Sequence, residues 1–177
     1  NFSSLNIKFL YNPDYENNNN SYSLWMTKDY AGGEILLLDS DILFDKEIVK
    51  ALLDAPHKNC LALKRHTLDE EQIKVIADER GKVNEISKEA SLDKAIGESI
   101  GIERMSGDFL NDVFDILDRK ILEENNVNEF YEKTFEEVIS KNENEKSMFC
   151  VDITQYLCME IDTIEDYESA KTNLILN

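Results

Sequence analysis

The chain has 177 residues, 42% of them hydrophobic, and a formal net charge of −18 from 37 acidic and 19 basic residues. That length suits one domain with a sizeable core. The acidic balance argues against nucleic acid or an anionic membrane as a partner, and no run of about 18 apolar residues is present to cross a bilayer. Asn1-Phe2-Ser3-Ser4 lacks the basic and apolar regions of a secretory leader and lacks Met, so the natural N-terminus is expected to lie upstream. Cys60, Cys150 and Cys158 have no metal-like spacing and fit reduced thiols of a cytoplasmic protein.

Residues 6–12 read as a strand closed by Pro13-Asp14. The polar run 17–20 leads into Ser21-Tyr22-Ser23-Leu24-Trp25-Met26, a capped helix start. After the turn Ala31-Gly32-Gly33, residues 34–38 form the clearest strand. Its apolar run Leu36-Leu37-Leu38 ends in Asp39-Ser40-Asp41. A parallel strand whose C-terminal end opens into a cleft has this pattern, and ligands of open α/β sheets bind there. Asp45 caps a helix over 46–53 that Pro56 ends.

The middle is β-rich. Residues 59–64 read as a strand, and 72–76 and 82–86 flank Asp78-Glu79-Arg80-Gly81 as a hairpin. Residues 99–102 form another short strand. Phe109, Val113, Phe114, Ile116, Leu117 and Ile121 recur at helical spacing, with Ser106 or Asp108 as cap. A helix over 130–139, a charged loop over 141–146, a strand over 148–153 and a helix over 164–174 complete the series. Thr163 and Asp166 form an acidic capping box for the last helix. The order predicts a mixed α/β sheet with a β-rich insertion.

Two acidic motifs carry the chemistry. Asp39-Ser40-Asp41 ends a strand, and Glu160-Ile161-Asp162-Thr163 precedes a helix. Converging carboxylates hold a hard divalent cation, and Mg²⁺ usually combines them with substrate phosphates. A single Asp after a strand is more often a turn or cap residue, so the metal reading rests on both motifs together.

The ordered series Asn19-Asn20-Ser21-Tyr22-Ser23-Leu24-Trp25, Leu38-Asp39-Ser40-Asp41, Lys74-Val75, Ile86-Ser87-Lys88, Gly97-Glu98-Ser99-Ile100-Gly101 and Glu160-Ile161-Asp162-Thr163 resembles the nucleotidyltransferases that join NTPs to phosphorylated sugars or alcohols. It is most similar to bacterial cytidylyltransferases acting on phosphocholine or 2-aminoethylphosphonate, the Asn-Asn-x-Tyr-Ser-Leu stretch favouring that branch. The resemblance covers nearly all of the chain. It implies a Rossmann-like, mixed but mostly parallel sheet flanked by helices. It also implies one domain over 1–177 with an acceptor-binding β-hairpin insertion at about 58–104. The family's first βα units, with a Gly-rich loop and a Pro-Lys pair that hold the NTP phosphates, have no counterpart in this sequence. The intact protein is therefore expected to be the enzyme, and this fragment alone to be inactive.

The resemblance further implies attack of a phosphate oxygen on the NTP α-phosphorus, with pyrophosphate leaving and Mg²⁺ as cofactor. It makes Asp41 and Asp162 the metal ligands, with Asp39 behind them. Lys88 and Lys74 become candidates for substrate phosphate, a role set against an ordinary solvated position. Asn20 and Ser23 are candidates for phosphate binding or simply for helix capping. Trp25, Glu98 and Glu132 are candidates for the acceptor head group, with Tyr22 and Tyr131 also available, although Trp25 equally suits the core. The implied partners are CTP or another NTP and a phosphorylated small-molecule acceptor; the oligomeric state stays open. His57 and His66 receive no catalytic role, and the cysteines read as structural. Two rival readings remain: a sugar-1-phosphate enzyme using UTP or dTTP, and an inactive truncated domain that serves as a binding module.

Overall fold

The computed structural model describes residues 5–141 and 146–175. The Asn1–Ser4 tetrad and residues 142–145 of the expected charged loop lie outside them. Among the described residues, eight strands and five α-helices follow in order: α1 (Asn20–Trp25), β1 (Ile35–Leu38), β2 (Ile42–Phe44), α2 (Lys46–Asp54), β3 (Cys60–Lys64), β4 (Lys74–Ala77), β5 (Val83–Ser87), β6 (Gly97–Met105), α3 (Gly107–Asp118), α4 (Glu132–Lys141), β7 (Phe149–Asp152), β8 (Cys158–Glu160) and α5 (Ile164–Ile175). A π-helical turn, Arg119–Glu123, extends α3.

The large sheet runs β5-β4-β6-β3-β7, with β1 also on β6. It is mixed, as expected. Its balance differs, because among the described residues β3–β7 is the one parallel pair. The strand that ends in Asp39 is antiparallel to β6, not parallel as its all-apolar run suggested. Such a run reports burial on both faces, and burial does not set strand direction.

The alternation of β3 sorts the core. Leu61 and Leu63 join α3 and α4 through Phe109, Val113, Phe135 and Val138 on one face. Ala62 joins α2 through Ile48 and Leu52 on the other, with Ile100, Ile102 and Ile153. Caps form where read: Asp45 accepts from the Glu47 amide at 3.0 Å, and Ser106 accepts from that of Phe109. Thr163 and Asp166 bond reciprocally at 2.9 and 3.1 Å.

Residues 6–12 are an exception. They make no ladder, and Ile7, Phe9 and Tyr11 are exposed. Their alternation is strand-like, but no described strand lies beside them to pair with. Two strands not anticipated, β2 and β8, form a separate antiparallel ribbon, Ile42↔Glu160 to Phe44↔Cys158.

Candidate active site

β6 organises the site. Along one side it pairs with β3. On the other, its first residues pair with β4 and its last four with β1. Between these partners the sheet opens. Gly101, at φ +68°, makes the bend. The Asp39 amide donates to its carbonyl at 2.9 Å, and a Cβ at Gly101 would overlap the Asp39 carboxylate. Only glycine meets both demands without cost. The gap is a cavity of about 360 Å³ reached by β1, β6, the end of β5 and the starts of α1 and α4.

The β2–β8 ribbon supplies the remaining wall. Its ladder is extended by Ile161 N–H donating to the Asp41 carbonyl at 2.7 Å and by Asp45 N–H donating to that of Leu157 at 2.9 Å. Asp41 and Asp162, remote in sequence, therefore meet at one end of the ribbon and line the same cavity. They are hard oxygen donors. Among the described residues no three His, Cys, Asp or Glu are grouped to hold a metal by themselves. Two carboxylates suit Mg²⁺ that completes its shell with water and phosphate oxygens; they do not suit a cage made wholly of protein.

The wall is strongly anionic. Asp39, Asp41, Glu98, Glu160 and Asp162 line it, and Lys88 faces them. Burial, then the charges of Glu98, Asp162, Asp41 and Asp39, raise the Glu160 carboxyl above its usual range. Burial also raises Asp39, opposed by the Tyr131 hydroxyl, which donates to both of its oxygens at 3.2 and 3.3 Å. Glu132, in the first turn of α4, is pushed up to about 7, chiefly by burial, with the Asp39 charge adding to it. Beneath them Glu103 is fully buried. It accepts from Ser99 Oγ at 3.1 Å, and burial, then Glu132 and Asp39, lift its carboxyl well above the usual range.

The anticipated residues divide. Asn20, Asp41, Lys88, Glu98, Glu132 and Asp162 all line the cavity. Asn20 also accepts the Tyr131 amide at 2.9 Å, and the neighbouring Asn19 amide donates to the Val127 carbonyl at 3.0 Å, so the Asn-Asn pair ties α1 to the segment before α4. Lys88 sits over the Phe130 ring, 5.1 Å from its centroid, and 3.8 Å from Glu71. Three expectations do not fit their placement. Lys74 is only 2% exposed, and its ammonium donates to the carbonyls of Asp69, Glu70 and Gln72 at 3.3–3.4 Å. Those carbonyls occupy the donors that a phosphate would need. Trp25 packs on Tyr22 and donates to Asp118 at 2.8 Å, fastening α1 to α3 away from the cavity. Ser23 accepts from Asn12 at 3.3 Å and lies in an adjoining apolar groove beside β1.

Several wall residues were not singled out as ligands: Glu160, Phe130, Glu71 and Ser99. His66, given no role, lies 2.6 Å from Glu98. Their sequence signal is weak, because only the β3–β6 register, with Lys64 opposite Glu98, brings His66 to its partner. Burial pushes all three thiols up, to about 11 for Cys60 and Cys158 and about 12 for Cys150, as suits structural cysteines. Among the described residues no helix is long and apolar enough to cross a membrane.

No protein-family model and no curated protein sequence matches the chain. Solved structures do. The inositol-1-phosphate CTP transferase of T. maritima superposes with TM-score 0.65 at 18% identity, over 86% of this chain and 61% of that one. The CTP:phosphocholine cytidylyltransferase of Streptococcus pneumoniae gives 0.69 at 16%, over 97% and 71%. A protein assigned as a glucose-1-phosphate thymidylyltransferase from Bacillus anthracis gives 0.68 at 12%, over 94% and 65%. The chain thus spans about three fifths to seven tenths of the length of these proteins. At such identities the likeness speaks to architecture, and it agrees with the resemblance read from the motifs. The chain has the α/β fold of these nucleotidyltransferases.

Proposed function

We propose that the protein to which this chain belongs transfers a nucleotidyl group, CMP by preference, from an NTP to a phosphorylated amino alcohol or aminophosphonate. The observation that carries the reading is the meeting of Asp41 and Asp162 at one wall of an anionic cavity in this fold. The acceptor phosphate oxygen forms a bond to the α-phosphorus, and the bond to the β-phosphate oxygen breaks with its electron pair leaving on pyrophosphate. The nucleophile is already anionic, so positioning and charge neutralisation carry the rate. Asp41 and Asp162 would hold Mg²⁺, which when bound neutralises phosphate charge and orients the reacting groups. Lys88 meets the acceptor phosphate, while Asn20 braces the entrance by fixing the start of α4. Glu98 and Glu132 face the acceptor's cationic head. The excess of carboxylates over cations favours such a head over a neutral sugar, which the neighbours' fold alone does not distinguish.

The test is pyrophosphate release by the whole protein with CTP, Mg²⁺ and phosphoethanolamine, 2-aminoethylphosphonate or phosphocholine. Asp41→Asn and Asp162→Asn should each lower turnover at least about 100-fold with the melting temperature little changed. Near-normal turnover in either variant removes the metal assignment. Release only with a sugar 1-phosphate and UTP or dTTP moves the protein to the sugar branch. No release with any pair favours a binding module.

A further inference from the structure

Glu132 is 4% exposed, and its Oε2 has no hydrogen-bond partner among the described residues. It lies in the wall between the main cavity and an adjoining one of about 280 Å³, a wall it shares with Ile73, Lys88 and Phe130. A buried carboxylate oxygen without a donor is costly, so a ligand group that donates a hydrogen bond there gains what the protein leaves unmet. A hydroxyl would serve the lone pair, but the carboxylates of the main cavity outnumber its one lysine, Lys88, whose charge also acts on Glu132, and their excess favours a cation. A quaternary ammonium carries no N–H; such groups are held by aromatic faces. Of the described side chains lining the two cavities only Phe130 is aromatic, and Lys88 Nζ already lies over its ring. Tyr22 and Trp25 pack instead on the core beneath α3 and α4.

We infer that the acceptor's cationic nitrogen bears at least one N–H, and that Glu132 is the residue that selects it over a quaternary ammonium. The inference rests on the acceptor reading above and deepens it: of the two acceptors implied by the resemblance, the aminoethyl type fits this chain and the choline type does not.

Calorimetric titration of the whole protein in MgCl₂ at pH 8, where the Glu132 carboxyl is ionised, with phosphoethanolamine and its N-methyl, N,N-dimethyl and N,N,N-trimethyl forms tests this. Affinity should stay within about threefold through the dimethyl compound. It should then fall about tenfold at the trimethyl compound, when the last N–H is lost. In Glu132→Leu, checked for folding by its melting curve, that final step should disappear. Equal or tighter binding of the trimethyl compound by the unaltered chain overturns the inference, and so does persistence of the step in the Leu variant. Binding of none of the four, or tighter binding of glucose 1-phosphate, removes the acceptor reading itself and the inference with it.

Discussion

Glu132 stands in a helix first turn, where the macrodipole favours its charge, yet burial outweighs that gain and moves its carboxyl up to about 7. The consequence for stability has a definite sign. Between the ordinary glutamate range and about pH 7 the native state binds the proton and the unfolded state has released it. Unfolding free energy therefore falls as pH rises through that window, and this contribution levels off above it. The upper bound is about 3 kcal/mol. Glu132→Gln should consequently stabilise the chain most at pH 8 and hardly at all near pH 4.5. Urea unfolding at the two pH values measures the difference, and an equal effect at both would contradict the assignment. Lys74 teaches the complementary lesson. A lysine on a strand resembles a phosphate ligand until three carbonyls of the 69–72 loop are found around its ammonium. Side-chain direction and loop path decide that outcome, and neither is written in a local motif.

At the scale of elements, the bend at Gly101 separates the two partners of β6 and so creates the cavity. Gly101→Ala meets a left-handed φ and the Asp39 carboxylate at once. It should cost about 2 kcal/mol or more and displace Asp39 from Tyr131. Thermal unfolding would register the loss, and the Tyr131 hydroxyl hydrogen bond could be followed by ultraviolet resonance Raman; an unchanged melting temperature would show that the sheet can bend without glycine. Elements with strong local signals were legible: β3, the β4–β5 hairpin, α2 to α4 and the capped start of α5 all lie close to their sequence patterns. β2 and β8 were not, since three residues each carry too little periodicity and their pairing spans most of the chain. Residues 6–12 show the reverse error, a clear alternating pattern with no described strand beside it.

At the scale of the whole molecule, most acids of the candidate site, Glu71 and Glu160 apart, were legible as residues but not as a site. Asp41 and Asp162 could be named from their motifs. What joins them, an antiparallel ribbon outside the large sheet, exists only as tertiary structure. That ribbon is short, and an isolated two-stranded pair is marginal in water. It is tied to the rest by packing of Ile42, Phe44 and Cys158 near α2 and by Lys64 donating to the Cys158 carbonyl at 2.5 Å. Opening it breaks far fewer contacts than unfolding the β3–β6 core, so it belongs to the low-stability end of the chain. The two acids would then part and meet again many times for each global unfolding event. In amide hydrogen exchange, Ile161 and Asp45, whose N–H groups close the ribbon ends, should exchange at least about 100-fold faster than the amides at the centre of β3. Millimolar Mg²⁺ should slow the ribbon amides and leave β3 unchanged. Uniform protection across both regions would mean that the acidic pair is as permanent as the core, and that the metal finds a site already shut in place.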